Sequence, residues 1–493
     1  CLDLYVKENG KLGFLMPFTV FKTQAGAGFR KFLSKWSIDK VHDLVTLYPF
    51  EGATNRSSAI IVSKTLTKSR SPKIKHIIWI NPSMRAIPTD AKLAEVIRMT
   101  ERVEGIMMPI KRSNVSSPWA QLTKHATSII DKITGASPYK AYAGIFTGLH
   151  QVYYITIQDK LPNGLLLIVN PPEPGQKKSV KETQAQIEPE LIYPLARGKN
   201  VKKWYIEFTG KYIIVPHDNS GRPIEFTRLK SKYPYSWQYF LNYYDALIKR
   251  SGGFFKSRLR AYKEIGLDKA IKTSIPFYSV TNNVRAALSP YKVVWKRIAG
   301  AITGKAVSFA SAVLEPIDDK WLGKKPIVPD DSLILIPCNS LEEAYYLAGV
   351  LNSQPVRFII ASYTYELRQE THILEFIRIP KFEAKELQRE IATLSKKAHE
   401  IAKKIYEERK DYLKQELREV EEEIDRLVAR LYDISDEELS EIKRAFAILA
   451  GEEIEEVEIQ EEIPKDIIVE FPKTVFMPNV EENLVISLMN PEA

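Results

Sequence analysis

Three groups of cationic side chains are the part of this sequence best equipped for chemistry. Arg197, Lys199, Lys202 and Lys203 lie close together, Lys292, Lys296 and Arg297 form a second group, and Lys256, Arg258 and Arg260 a third. Guanidinium and ammonium groups set this densely suit phosphate oxygens, to which they give charge-assisted hydrogen bonds. The competing reading of each run is a solvated face. No comparable constellation points to covalent chemistry, so no catalytic or metal residue is assigned. The seven histidines are scattered, and His76, His217 and His372, in or beside apolar strands, are expected in the core. Two cysteines, Cys1 and Cys338, supply neither a zinc set nor a disulfide framework. Ala25-Gly26-Ala27-Gly28-Phe29 is glycine-rich but sits inside a helical pattern, and no phosphate loop of P-loop spacing appears.

The charge of the whole chain supports a polyanionic partner. The formal net charge is +10, divided as +23 over residues 1–380 and −13 over 381–493. A body this basic makes nucleic acid the first candidate. Apolar residues make up 44% of the 493 positions, enough for a substantial core. No run of eighteen apolar residues is present, so no membrane span is expected. With no signal peptide read at its start and so few cysteines, a cytoplasmic location is expected.

These side chains need elements to hold them. Residues 1–65 alternate helix and strand: Leu12–Pro17, a helix-like stretch Thr19–Trp36, then strands at Ile38–Leu44 and Ser58–Ser63. This reads as the end of a larger sheet, and the start at Cys1, inside a helical pattern, reads as a fragment with an upstream part missing. Residues 66–135 read as a connector with a basic loop at Lys68–Lys75, a strand at His76–Ile80 and a helix at Asp90–Arg102. Residues 136–380 carry many short strand-like runs, among them Val152–Ile157, Leu165–Val169, Tyr212–Pro216 and Lys292–Lys296. A helix at Leu341–Leu351 opens on the capping box Ser340 and Glu343. Tyr142, Trp204, Tyr233, Tyr235 and Trp237 are expected to pack the core. In 381–450 two apolar series, Leu387 to Ile405 and Leu413 to Leu431, follow heptad spacing and predict one long helix or a helical hairpin. Residues 451–493 form an acidic extension. The expected fold class is α/β and α+β multidomain: the end of a doubly wound sheet, a mixed α/β domain and a long-helix region.

The order of motifs resembles the C-terminal part of adenine-specific DNA methyltransferases of type IIG restriction–modification type. Asn9–Pro17 is similar to the strand after the family's catalytic motif, and Gly26–Leu33 to its Arg-x-x-Leu helix. Asp43-Leu44 through Tyr48-Pro49-Phe50, and Ser58–Val62, are similar to its next strands. Tyr142–Gly148 with Val152–Ile155 resembles the entry to a target-recognition domain, and Tyr193–Trp204 its central motif. Lys292–Trp295, Gly349–Ser353, Ile379-Pro380, Ile424-Asp425 and Leu431-Tyr432 resemble later signatures.

The resemblance implies double-stranded DNA as the polyanionic partner and a target-recognition domain over 136–380, with the end of the methyltransferase domain before it. It also implies that a complete enzyme flips an adenine and methylates it from S-adenosylmethionine. The cofactor loop and the catalytic Asn/Asp-Pro-Pro-aromatic turn are not in this chain. They belong to an upstream catalytic part of the same protein or to a separate catalytic subunit. Asn170-Pro171-Pro172-Glu173 is not that turn, because Glu173 stands where an aromatic must stack. Lys64 stands where some members carry a base-clamping aromatic. The alternative reading is a separate DNA-specificity subunit without catalysis of its own.

Overall fold

Strand-forming residues with period-two burial build the first layer. In β3 (Ser57–Leu66) Ile60 and Val62 point into the core while Ala59 and Ile61 are half-buried. The computed structural model describes residues 1–44, 47, 57–67, 72–81, 87–88, 90–172, 179–250, 252–298, 309–364 and 369–450. Tyr48-Pro49-Phe50, Glu173, most of the basic loop from Lys68, and 451–493 lie outside these. The chain divides into Cys1–Ile454 and Glu455–Ala493, and every described element belongs to the first unit.

β1 (Lys11–Pro17), β2 (Trp36–Asp43), β3, β4 (Ile74–Ile80), β5 (Glu101–Pro109) and β6 (Trp119–Thr123) form one six-stranded sheet in the order β1-β3-β2-β4-β5-β6. This corrects the expected boundary at residue 65. β4 pairs in parallel with β2, so residues 66–135 are the second half of the sheet and not a connector. The helix expected over Thr19–Trp36 is broken into Thr19–Lys22, a turn at Gln24–Gly26 and Ala27–Leu33, and Trp36 opens β2. Gly26 explains the break: a Cβ there would fall 2.0 Å from the Val20 carbonyl oxygen. The buried Arg30 guanidinium donates to that oxygen and to Thr23 O at 2.7 and 2.8 Å. The helix expected at Asp90–Arg102 is shorter, Leu93–Met99, because Glu101 and Arg102 already pair in β5.

Two further sheets carry the middle of the chain. One orders Gln184–Ile187, Leu166–Val169, Tyr154–Lys160, Tyr212–Ile214, Ile192–Ala196 and Val328–Pro329; the other orders Ser311–Leu314, Tyr291–Lys296, Leu333–Cys338 and Tyr142–Ala143. Tyr291–Lys296 is covered on both faces, as an unbroken apolar strand requires. Val293 and Trp295 enter one core and Val294 the other.

The heptad series form a hairpin, Glu386–Glu408 and Lys414–Leu431, turned at Arg409 in the left-handed region (φ 55°). It is not a separate region. Ile391, Ile401, Ile424 and Val428 share a core with Ala344, Leu351 and Phe358 of the helices Leu341–Asn352 and Gln354–Tyr363. Gly349 lets the hairpin approach, since a Cβ would meet Ile391 Cγ2 at 2.7 Å. Among the described residues no helix is long and apolar enough to cross a membrane.

Candidate nucleic-acid interface

Three strand ends meet at one turn. Ile192–Ala196, wholly buried, pairs with Tyr212–Ile214 and Val328–Pro329 and delivers Arg197 at its end. Tyr291–Lys296 delivers Lys296 and Arg297, and Leu333–Cys338 begins just after Asp330-Asp331-Ser332. The Gly198 amide donates to Ser332 Oγ at 2.7 Å, and the Arg297 amide to Ser332 O at 2.9 Å. Thus Ser332 ties together two cationic groups that lie far apart in sequence. Gly144 permits a further close approach: a Cβ would stand 2.1 Å from Asp330 O.

Carboxylates hold the guanidinium groups of this cluster. Arg197 Nε lies 3.2 Å from Asp330 Oδ2, and its guanidinium stacks 5.2 Å from the centre of the Tyr154 ring. The Tyr154 hydroxyl donates to the same carboxylate at 3.1 Å, and the Ser332 amide donates at 3.0 Å. Burial raises the Asp330 pKa, opposed by the Ser332 hydrogen bond and by Arg197. Burial likewise drives Tyr154 well above its ordinary value. His150 stacks on Tyr154 at 4.7 Å and stands 3.7 Å from Asp331. Arg297 Nε meets both Glu370 oxygens at 3.0 Å. Lys199 is exposed and Lys296 half-buried, and neither has an ion pair among the described residues. The result is a rigid frame of two paired arginines with two unpaired lysines beside it. Such a frame can take phosphate oxygens without first ordering its own side chains.

Three expected members fall elsewhere. Lys292 is fully buried; its ammonium donates to the Ser289 carbonyl, and burial lowers its pKa to about 7. A side chain enclosed by strands on both sides cannot reach a phosphate, so Lys292 is withdrawn from the set. Lys203 pairs with Glu421 of the helical hairpin at 2.8 Å, and Trp204 Nε1 donates to the same carboxylate at 2.5 Å. Lys202 is exposed, with its ammonium 3.9 Å over the Tyr406 ring. A left-handed backbone at Trp204 (φ 64°) turns the indole inward, and Lys203 follows it to the hairpin. The central motif therefore divides: Arg197 and Lys199 lie at the strand-end cluster, Lys203 pairs with the hairpin, and Lys202 stays exposed with its ammonium over Tyr406 of that hairpin. Lys256, Arg258 and Arg260 are exposed on short helices, with Arg260 bound to Glu264 at 2.5 Å.

The remaining aromatic and histidine expectations separate by burial. Trp204 and Tyr233 are buried, Trp237 and Tyr142 half-buried, and Tyr235 is 45% exposed. His76 and His217 are buried with pKa values lowered by burial to about 3 and 4, and each has an Nδ1 without a partner. His372, in a half-exposed turn, is not a core residue. The Asn170 amide is consumed in holding its own loop, donating to Lys181 O at 3.3 Å and accepting from the Thr183 amide at 2.7 Å. Lys64 pairs with Glu8 at 3.5 Å and donates to Val6 O at 2.8 Å. Sequence reasoning missed Tyr154, His150, Asp330, Asp331, Ser332 and Glu370. The one local signal was Asp-Asp-Ser before an apolar strand, a turn signature.

No protein-family model matches this chain. Type II methyltransferase M.BstVI of Geobacillus stearothermophilus is 23% identical over 310 residues, 57% of this chain and 50% of that protein. The chain thus spans about half the length of the curated relative it matches. Among solved structures, the Type IIL restriction-modification enzyme MmeI, described in complex with DNA, shares 11% identity at a TM-score of 0.48, covering 89% of this chain and 49% of its own. The type IIG restriction endonuclease BpuSI shares 12% at a TM-score of 0.27, covering 87% and 48%. The chain resembles methyltransferases of restriction–modification systems, as its motif order indicated.

Proposed function

We propose that this chain is the DNA-recognising part of a site-specific DNA adenine methyltransferase, and that it binds duplex DNA through the strand-end cluster. One observation carries the reading: the segments carrying Arg197–Lys199 and Lys296–Arg297 meet at the Asp330–Ser332 turn, with the arginines oriented by carboxylates and the two lysines without an ion pair among the described residues. Phosphate contact sets register on the duplex, and base-edge contacts from neighbouring loops supply the sequence.

The methyl transfer belongs to another part of the complete enzyme. The one glycine-rich candidate, residues 25–29, does not fit S-adenosylmethionine. The glycine-rich stretch offers no cradle, because the Val20 carbonyl and the Arg30 guanidinium already fill the space beside Gly26. The catalytic part has a seat, however. β1 is an edge strand of the six-stranded sheet, and Phe14 and Leu15 on it are each 47% exposed. An unpaired apolar edge fits strand addition by a catalytic half. This supports an enzyme reading over a free-standing specificity subunit.

The test is a salt titration of duplex binding by the full chain and by the Lys199→Ala/Lys296→Ala variant. Removing one phosphate contact should flatten the slope of log K against log salt by about 0.9, so the double variant should lose roughly two units. A wild-type slope near zero overturns the DNA-binding reading. An unchanged slope in the variant removes this cluster from it.

A further inference from the structure

Residues 249–272 carry eight Lys and Arg against two carboxylates, Glu264 and Asp268. They fold as three short helices, Gly253–Arg258, Arg260–Glu264 and Leu267–Ala270. Phe255, Leu259, Tyr262 and Ala270 turn inward and are buried to within 2%. With the apolar positions committed to that core, Lys256, Arg258, Lys263, Lys269 and Lys272 are all left exposed. Among the described residues none of these five has an ion pair, and Arg258 lies 4.9 Å from the centre of the exposed Phe254 ring. Arg260, bound to Glu264, is the exception.

Aromatic packing holds this lobe, Phe255 on Phe146 and Tyr262 on Phe226 and Phe277, and one buried cation braces its first helix. Arg250 donates to the carbonyls of Thr147, Ser279, Phe277 and Leu247 at 2.8, 2.8, 2.7 and 3.1 Å, and to the Tyr153 hydroxyl at 3.0 Å. Its guanidinium also lies 3.8 Å from the centre of the Phe255 ring, on the first helix of the lobe. No carboxylate is among these partners. Planar donors forked over five oxygens fix orientation in a way that an ammonium cannot.

We propose that the helical lobe 252–272 is a second, sequence-independent phosphate-binding surface, whose first helix is braced by Arg250 against the loops that carry Thr147, Phe277 and Ser279. The inference rests on the duplex-DNA reading and deepens it. The occupant is the sugar–phosphate backbone of duplex beside the recognised site, because unpaired cationic groups on short helices neutralise charge without reading base edges. Arg250 is a positioning residue and touches no DNA.

The test uses the full chain and two duplexes of unrelated sequence. Lys256→Ala/Arg258→Ala/Lys263→Ala should flatten the salt slope by roughly two to three units, at about 0.9 for each phosphate given up. It should weaken both duplexes by the same factor and leave thermal unfolding unchanged. Arg260→Ala, which removes an already paired cation, should change the slope by less than about one unit. Arg250→Lys keeps the charge but loses the fork; it should flatten the slope partly and speed amide exchange across 252–272. A wild-type slope with the triple variant superimposed on it overturns the lobe and leaves the strand-end cluster standing. Loss confined to one duplex also overturns it, since phosphates carry no sequence. A wild-type slope near zero overturns both.

Discussion

Two stretches only a few residues apart in the central motif show how differently the same charges are used. At Arg197 the cation is held by Asp330, on a turn of the same recognition body, and its side chain stays 21% exposed. At Lys203 the cation is held by Glu421, from a helix more than two hundred residues later, and what it achieves is the seating of that helix. The two cations are about equally exposed, 21% and 24%, so what differs is what each pair joins: the first holds a group within the strand-end cluster, the second ties that body to the helical hairpin. A count of positive residues cannot separate these roles; the location of the acidic partner can.

Asp330→Ala should break the first arrangement with the largest effect. It removes the acceptor of Arg197, Tyr154 and Ser332 together. Truncating one partner of a buried pair costs about 3 kcal/mol or more. Denaturant unfolding measures it, and a loss under about 1 kcal/mol would show that the turn is held by its backbone alone. Lys203→Met should have a smaller effect, about 1 kcal/mol, because the pair is partly exposed. Amide exchange should quicken over Lys414–Leu431 while the salt slope stays within about one unit of wild type. A slope about two units flatter would return Lys203 to the DNA surface.

Lys292→Met should do least at neutral pH, within about 1 kcal/mol, as a swap of similar volume. Its signature lies in pH. The folded ammonium has a pKa of about 7 against 10.5 for the free side chain, so between these values the unfolded chain binds more protons and stability rises with pH. Lys22, buried with a pKa also lowered to about 7, contributes a similar rise. The variant should therefore reduce, and not abolish, the increase in unfolding free energy from about pH 7 to 10. An unaltered pH profile would mean that Lys292 reaches solvent after all.

What was legible in the sequence was local. The Ser340–Glu343 cap is present, with the Glu343 amide donating to Ser340 Oγ at 3.1 Å, because a cap depends on residues three apart. The apolar spacing gave two helical seams and left one long helix or a hairpin open; the left-handed turn at Arg409 makes it a hairpin. What was not legible depended on partners far away in sequence. The bond between Arg197 and Asp330 spans 133 residues, and the strand pairing that joins the two halves of the first sheet is that of β2 with β4. Charge counting also misled about the tail. Residues 381–450 carry only −3, and most of the −13 lies in 451–493. Several motifs that carried the resemblance act as scaffold. Asn352 exchanges two 2.8 Å hydrogen bonds with the Ser311 backbone, and Asp425 accepts from the Gln354 amide at 2.7 Å. Tyr432 donates to Arg378 O at 2.7 Å. Burial raises the Asp425 pKa to about 6, in keeping with a joint closed away from water.

The open edge at β1 has a practical side. Beside it, Leu4 and Tyr5 are 80% and 71% exposed, and Leu66 at the end of the neighbouring strand is 72% exposed. Among the described residues no strand pairs with the outer side of β1, and an edge strand flanked by such side chains can template pairing with its own kind. The chain should be prone to stick to itself at high concentration. A charged residue introduced on β1 at Leu15, on the face opposite the buried Met16, is the place to begin when solubility is wanted without disturbing the recognition body.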